Sequence, residues 1–353
     1  MGKRILITPL DWGLGHATRC IPIIQELLDQ GNEVMIASSG LALNLLKEEF
    51  PRLTFFELPS YKATYAKWLP LMIKVFWQSP YFFYVISKEH TVVKKIIDDY
   101  KIDVIISDNR YGCYSEKVKS IFITHQLTIL MPKGLVWLQG LINYFNHNLI
   151  KRFDTCWVPD FPDQRLTGKL TITSLPVFFI GSVSRFTKSP PNPVKLYQLL
   201  ILLSGPEPQR TLLEDKLIHQ LENYQGKVMV VRGLPGVLTN ILPHPAHVEV
   251  VNHLKAGELQ QVIEKSEIII SRSGYTTIMD LYALESKAIF IATPGQTEQE
   301  YLAEKLKQAN VVYSDNQDRF NLKEAIDKEK SYKGFQQSEL GRQFLLDAIR
   351  MMS

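Results

Sequence analysis

Ser271-Arg272-Ser273-Gly274-Tyr275-Thr276-Thr277-Ile278-Met279-Asp280 is followed, after a second apolar run, by Pro294-Gly295-Gln296-Thr297-Glu298-Gln299-Glu300. An apolar strand at 268–270 runs into Arg272-Ser273-Gly274, and a helix opens at Tyr275 or Thr276. Unpaired N–H groups at a helix start form a ready anion site, and glycine lets a ligand approach the backbone closely. Asp280 lies about one and a half turns into that helix. A second strand, 288–292, ends in a loop that offers Gln296, Thr297, Glu298, Gln299 and Glu300. Two neighbouring strand ends would present phosphate donors and hydroxyl-binding groups together, which is the chemistry a sugar nucleotide needs.

Outward from this stretch the chain alternates strands and helices in two blocks. The first reads as strand 4–8, helix 17–30 stopped by Gly31, strand 33–37, helix 41–49, then strands 53–58, 104–107, 121–124 and 156–158. The second has strands at 199–203, 228–232, 248–251, 268–270, 288–292 and 311–313. Repeated strand–helix units predict parallel, doubly wound sheets. The expected fold class is therefore α/β, with two Rossmann-like domains facing a cleft. Ser189-Pro190-Pro191-Asn192-Pro193 breaks regular structure between them. The expected divisions are 1–180, 181–336 and a final helical segment, 337–353.

Apolar residues make up 45% and charged residues 22%, an ordinary globular balance. Cys20, Cys113 and Cys156 are too few and too scattered for a disulfide framework or a zinc site. They fit a reduced, cytoplasmic protein. The N-terminal strand lacks the apolar length of a signal peptide. Residues 1–180 hold 20 Lys/Arg against 16 Asp/Glu, so the whole excess of +4 lies in the first half. An even scatter of surface charge and a face for anionic lipid both account for this. No basic cluster interleaves with aromatics as a nucleic-acid surface requires. No Asp-x-Asp pair or histidine cluster with ligand spacing is present, so neither metal nor cofactor is expected.

The first turn reads Asp11-Trp12-Gly13-Leu14-Gly15-His16-Ala17-Thr18-Arg19 and joins a strand to a helix. His16 has the ionisation range of a general base that takes a proton from an attacking hydroxyl. Asp108, which ends a buried strand, is its rival. A helix-capping histidine and a turn-forming aspartate are the plain alternatives.

These segments resemble glycosyltransferase family 28, a GT-B family whose best-known member makes lipid II; this chain reads as a paralogue. The resemblance is strongest over 271–302. It implies an acidic ribose ligand at Asp280 and a donor-sugar pair at Gln299-Glu300, where the family has Gln-Gln. It implies that Gly13 and Gly15 lie under the donor diphosphate, with Arg19 standing where the family usually has proline. It places His125-Gln126, together with Arg19, on the acceptor side. Phe179-Ile180-Gly181-Ser182-Val183-Ser184-Arg185 resembles the segment whose Arg approaches the diphosphate. Leu203-Ser204-Gly205-Pro206-Glu207-Pro208-Gln209-Arg210 stands where the family has a phosphate loop. Its two prolines remove N–H donors, leaving Ser204, Gly205, Gln209 and Arg210. Val251-Asn252-His253-Leu254 would frame the base. The implied activity is metal-independent, inverting transfer from a UDP-sugar to an acceptor.

Residues 68–86 are rich in aromatics and flanked by Lys62, Lys67 and Lys88, while Pro70 and Pro80 argue against a spanning helix. With the amphipathic run 135–153, they read either as helices packed on the sheet or as a patch that docks on the inner membrane leaflet. The second reading implies a lipid-linked acceptor. A UDP-sugar epimerase and a non-catalytic sugar-nucleotide-binding protein remain the alternatives to a transferase.

Overall fold

The computed structural model describes residues 2–61, 71–190, 193–234, 243–337 and 341–352, and only the backbone of 71–79. Lys62, Lys67 and residues 68–70 of the aromatic stretch lie outside the described residues, as do the side chains of 71–79. Two compact units appear: Met1–Arg185 with Ser338–Ser353, and Phe186–Gln337.

The first unit contains strands β1 (Arg4–Pro9), β2 (Glu33–Ser38), β3 (Thr54–Glu57), β4 (Val104–Asp108), β5 (Lys119–Ile123), β6 (Thr155–Val158) and β7 (Val177–Phe179). Its helices are α1 (Gly15–Asp29), α2 (Gly40–Glu49), α3 (Leu71–Tyr100) and α4 (Gln139–Ile150). The strands form one sheet in the order β3-β2-β1-β4-β5-β6-β7, every pairing parallel. Strands such as Ile5-Leu6-Ile7 and Val104-Ile105-Ile106 are buried on both faces, as a sheet sandwiched between helices demands.

The second unit contains β8 (Tyr197–Leu202), α5 (Gln209–Leu221), β9 (Val228–Val231), β10 (Val248–Val251), α6 (Ala256–Glu264), β11 (Ser266–Ser271), α7 (Tyr275–Ala283), β12 (Ala288–Ala292), α8 (Thr297–Gln308), β13 (Tyr313–Asn316) and α9 (Leu322–Glu329). Its sheet order is β10-β9-β8-β11-β12-β13, again wholly parallel. The last helix, α10 (Gly341–Arg350), belongs to the first unit. Arg342 pairs with Glu26 of α1 at 2.9 Å, and Phe344 meets Phe161 edge-on at 5.8 Å. Gly181 and Gly341 touch so closely that a Cβ on Gly181 would stand 2.3 Å from the Gly341 carbonyl.

Several element bounds differ from the sequence expectation by one or two residues. β7 was not foreseen, and β13 begins at Tyr313, where Val311 had been expected. α3 continues through Pro80, which is exposed, so the carbonyl deprived of a donor there can turn to water. No helix among the described residues is long and apolar enough to cross a membrane.

One buried side chain fixes the carboxyl edge of the first sheet. Arg110 follows β4 and has no solvent exposure. Its Nε donates to the Pro9 carbonyl at 2.8 Å, Nη1 to the Pro59 carbonyl at 3.0 Å and to Glu89 at 2.7 Å, and Nη2 to Ser39 Oγ at 2.6 Å. The ends of β1, β2 and β3 and the middle of α3 are thus tied to one guanidinium. Arg110→Met should destabilise the first unit by about 3–5 kcal/mol, because Glu89 is left buried without its cation. Denaturant melts of the full chain check this; a loss below about 1 kcal/mol would mean that the neighbouring hydroxyls and waters replace the guanidinium.

Candidate functional site

In the first unit the site forms at the switch point between β1 and β4, where the strand order reverses. Pro9 and Asp108 stand side by side in register at these strand ends. The turn after β1 reverses through Gly13, whose φ of 73° suits glycine. α1 then opens at Gly15, which puts His16 in its first turn. His16 Nδ1 lies 2.9 Å from Asp108 Oδ1. The two residues expected as rivals for the base are therefore partners. Arg19, one turn on and buried, donates Nε and Nη2 to the two oxygens of Asp108. Its Nη2 also lies 2.8 Å from His16 Nδ1, and its Nη1 lies 3.0 Å from His125 Nδ1. Cys20 Sγ is 3.6 Å from Asp108 Oδ2. Gln126 is held away from this cluster by its backbone, with its N–H on Thr124 Oγ1 at 3.0 Å and its carbonyl accepting from Asn146 at 3.2 Å.

Electrostatics divide the roles. Burial alone would raise the Asp108 carboxyl, but Arg19 and His16 outweigh it and hold it well below the usual carboxylate range. Burial lowers His16, and Arg19 and His125 push the same way against the pull of Asp108. Asp108 is thus a fixed anion and His16 a neutral imidazole. His16 Nε2 makes no hydrogen bond among the described residues, and the side chain keeps 15% of its exposure.

In the second unit the equivalent switch point lies between β8 and β11. The loop after β8 carries Ser204 and Gly205, both exposed, and Gly205 has φ 105°. Gly274 is the N-cap of α7, in extended backbone at φ −67° and ψ 140°. A Cβ on Gly274 would meet only Thr277 Oγ1, at 3.9 Å, so the space before it is open. Arg272 is buried, with Nη1 on the Ile291 and Ala292 carbonyls at 3.1 and 3.0 Å and Nη2 on the Gln209 carbonyl and Gln317 Oε1 at 2.8 and 2.6 Å. Its Nε is buried with no partner, and so is Thr293 Oγ1. Both flank Gly205, whose added Cβ would stand 4.0 Å from Arg272 Nε and 3.6 Å from Thr293 Oγ1. Burial without a carboxylate pushes the Arg272 guanidinium down to about 10.

The remaining expected donor residues divide by what already holds them. Asp280 is buried on α7, Tyr275 is buried at its start, and Thr276 is half-buried beside it. Ser273 Oγ donates to the Gln299 carbonyl at 2.7 Å. Gln299 Oε1 accepts from Thr293 N at 2.9 Å, which leaves its amide nitrogen to point elsewhere. Glu300 accepts from Gly295 N at 2.9 Å and braces its own loop. Arg210, expected to face the donor, is instead paired to Glu207 at 2.6 Å and Glu214 at 2.7 Å. Glu214 also holds Arg232, whose Nη1 reaches Asn252 Oδ1 at 2.9 Å. The reason is helical spacing: Arg210 and Glu214 are four residues apart on α5. Gln209 is half-buried and holds Gln317 Nε2 at 3.0 Å. His253 is exposed, Leu254, Gln296, Thr297 and Glu298 are half-buried, and Arg185 is the half-buried last residue before the second unit. Thr293, which directly follows the strand read at 288–292, is not among the expected site residues, nor are Glu89, Arg110 and Arg232.

Linkage gives the pH response of the first site. Unfolding returns His16 to its ordinary 6.5, so the unfolded chain takes up a proton first as pH falls. The contribution is complete above that value and is lost below it. The melting temperature should therefore fall between about pH 7 and about pH 5.5, and His16→Gln should flatten part of that slope. An unaltered slope in calorimetric scans would show that His16 is not held neutral.

Residues 247–345 match the model of the glycosyltransferase family 28 C-terminal domain. An uncharacterized glycosyltransferase of Methanosarcina mazei is 23% identical over 327 residues, covering 84% of this chain and 81% of the relative. The glycosyltransferase of kitacinnamycin superposes with a TM-score of 0.67 at 14% identity, covering 100% of this chain and 95% of that one. The Streptomyces sp. SF2575 glycosyltransferase SsfS6, solved in complex with thymidine diphosphate, superposes at 0.61 with 13% identity, covering 99% and 95%. Two parallel-sheet units, a match over 247–345 to the family 28 C-terminal domain and similarity to glycosyltransferases along most of the length give this chain the GT-B fold of a glycosyltransferase.

Proposed function

We propose that the enzyme transfers a sugar from a nucleoside diphosphate sugar to an acceptor hydroxyl with inversion, and that His16 is its general base. The observation that carries this reading is the contact between neutral His16 and the ionised, buried Asp108 at 2.9 Å. In the step, His16 Nε2 takes the proton of the acceptor hydroxyl as its oxygen attacks the anomeric carbon. The bond from that carbon to the diphosphate breaks, and the electron pair leaves with the nucleoside diphosphate. Asp108 stabilises the imidazolium that forms. It is the orienting partner of the base.

For the donor, Arg272 Nε and Thr293 Oγ1 are two buried donors without acceptors beside Gly205. An unsatisfied buried polar atom is unfavourable by about 1–3 kcal/mol, and a diphosphate oxygen would satisfy both. The N-terminal end of α7 adds partial positive charge for the same group. Positive charge from the protein serves in place of a cation. Asp280 is assigned to the ribose hydroxyls. Thymidine diphosphate in the SF2575 enzyme supports a nucleoside diphosphate generally; uridine as the base follows from the resemblance around 271–302. Glu300 stands where the related enzymes have a second glutamine, and its tie to Gly295 gives it a bracing role apart from donor choice.

A lipid-linked acceptor at the cytoplasmic face of a membrane fits the surface of the first unit. Val136, Trp137, Leu141, Tyr144 and Phe145 are all more than half exposed, with Trp137 at 75%. They lie on α4 and the 3-10 turn before it, between Lys133 and Lys151-Arg152. Aromatic side chains framed by cations suit an anionic interface.

Calorimetric titration with UDP, GDP, dTDP and UDP-sugars, with and without EDTA, tests the donor site. Selective UDP binding unaffected by EDTA is expected. Asp280→Ala should weaken it about tenfold or more, as loss of a charge-assisted hydrogen bond implies; equal affinity would remove Asp280 from the ribose. His16→Ala should lower turnover by about 100-fold or more while leaving donor affinity intact. A near-normal rate would pass the base role to another group. Product analysis separates transfer, which yields nucleotide and glycoside, from epimerisation, which alters the sugar.

A further inference from the structure

We infer that Arg19 is a positioning residue that keeps His16 in its neutral form, with the ring proton on Nδ1, by neutralising the charge of Asp108. The catalytic consequence rests on the reading of His16 as base; the geometry of the cluster does not.

A carboxylate in contact with an imidazole ordinarily draws a second proton onto the ring and makes an ion pair. An imidazolium cannot accept the proton of a hydroxyl, so a buried Asp108 alone would disarm the base. Arg19 takes both oxygens of that carboxylate through Nε and Nη2. A guanidinium is charged at every accessible pH and carries no acceptor. The anion is therefore already compensated before His16 titrates. The second cation that protonation would create would lie against the first, because Arg19 Nη2 is 2.8 Å from His16 Nδ1.

The same atoms fix the tautomer. His16 Nδ1 stands 2.9 Å from Asp108 Oδ1 as well as close to Arg19 Nη2. A lone pair on Nδ1 would set two acceptors against each other across that gap. A proton on Nδ1 lets ring and guanidinium converge as two donors on one carboxylate oxygen, and their closeness follows from sharing it. The lone pair then lies on Nε2, the nitrogen without a hydrogen bond. His125, beyond β5, is sorted the other way. Its Nδ1 lies 3.0 Å from Arg19 Nη1, which can only donate, so its neutral ring carries the proton on Nε2. The charged and titratable groups around His16 are thus Arg19 on its own helix, Asp108 at the end of β4 and His125 after β5, with Cys20 against the far oxygen of Asp108.

The test is nitrogen-15 NMR of the imidazoles in the full chain, assigned with His16→Gln and His125→Gln. In the native protein at neutral pH, His16 should be uncharged with its proton on Nδ1, and His125 should carry its proton on Nε2. A charged His16, or one protonated on Nε2, overturns the inference without any variant. In Arg19→Met, the His16 titration midpoint should rise by about one pH unit or more, and the acid limb of the rate profile should move up with it. Arg19→Lys keeps the charge and should leave the midpoint near the native one. A folded Arg19→Met with an unmoved midpoint sinks the assignment. Loss of packing alone would lower the rate at every pH and leave the limb in place. Full turnover in His16→Ala would remove the base reading while these NMR outcomes still decide the role of Arg19.

Discussion

Asp108 carries a charge at a position with no solvent contact, and the first site is arranged around compensating it. The residue ends β4, in register with Pro9 of β1 and Ile123 of β5. An isolated carboxylate in such a place would neutralise itself. Arg19 prevents that, and His16 and Cys20 complete the shell. Breaking such a buried pair by removing one member is far more damaging than never having built it. The cluster therefore acts as a unit: moving Arg19 changes Asp108, and through Asp108 it changes His16.

The second unit solves the opposite problem. Arg272 is buried with no carboxylate among its hydrogen-bond partners, and only carbonyl and amide oxygens receive it. Those dipoles satisfy four hydrogen bonds but leave the net charge in place, which is why burial depresses its pKa. Surplus positive charge and two unpartnered donors are what the proposed diphosphate site supplies. By contrast, Arg210 and Arg232 share Glu214, and each is held by a carboxylate. Between three arginines on one sheet edge, the one lacking a counter-charge is the one whose chemistry calls for a ligand.

Much of this was legible in the sequence, and the remainder was not for identifiable reasons. The start of α7 at Tyr275 and the stop after α1 at Gly31 follow from strand-to-turn transitions and a glycine at φ 80°. β7 is three residues long at a sheet edge, too short for a pattern to register. His16 and Asp108 were both found, yet as competitors, because 92 residues separate them and only the β1–β4 register brings them together. Arg19 was visible as a departure from the family pattern, but two of its three partners, Asp108 and His125, come from distant segments. Arg210 shows the reverse failure. Its spacing to Glu214 was readable as an internal helix pair, and placing it by resemblance to a phosphate loop ignored that local bond.

Arg110 explains how the first cluster can hold its geometry at all. Proton transfer requires donor and acceptor to meet within hydrogen-bond reach, and a displacement of about 1 Å is enough to lose most of the rate. His16 hangs from the turn after β1, while Asp108 ends β4, so their separation depends on how firmly these two ends are joined. Arg110, two residues beyond Asp108, bonds the carbonyl of Pro9 and anchors itself to Glu89, which also accepts from Tyr61 at 2.6 Å and from Gly112 N at 3.2 Å. Gly112 is required there, since a Cβ would stand 2.3 Å from the Ile86 carbonyl and 2.6 Å from Glu89 Cβ. The close approach of α3 to the segment after β4 thus brings Glu89 to Arg110, and Arg110 ties the two strand ends together. Residues outside the cluster in this way set the distance between His16 and Asp108.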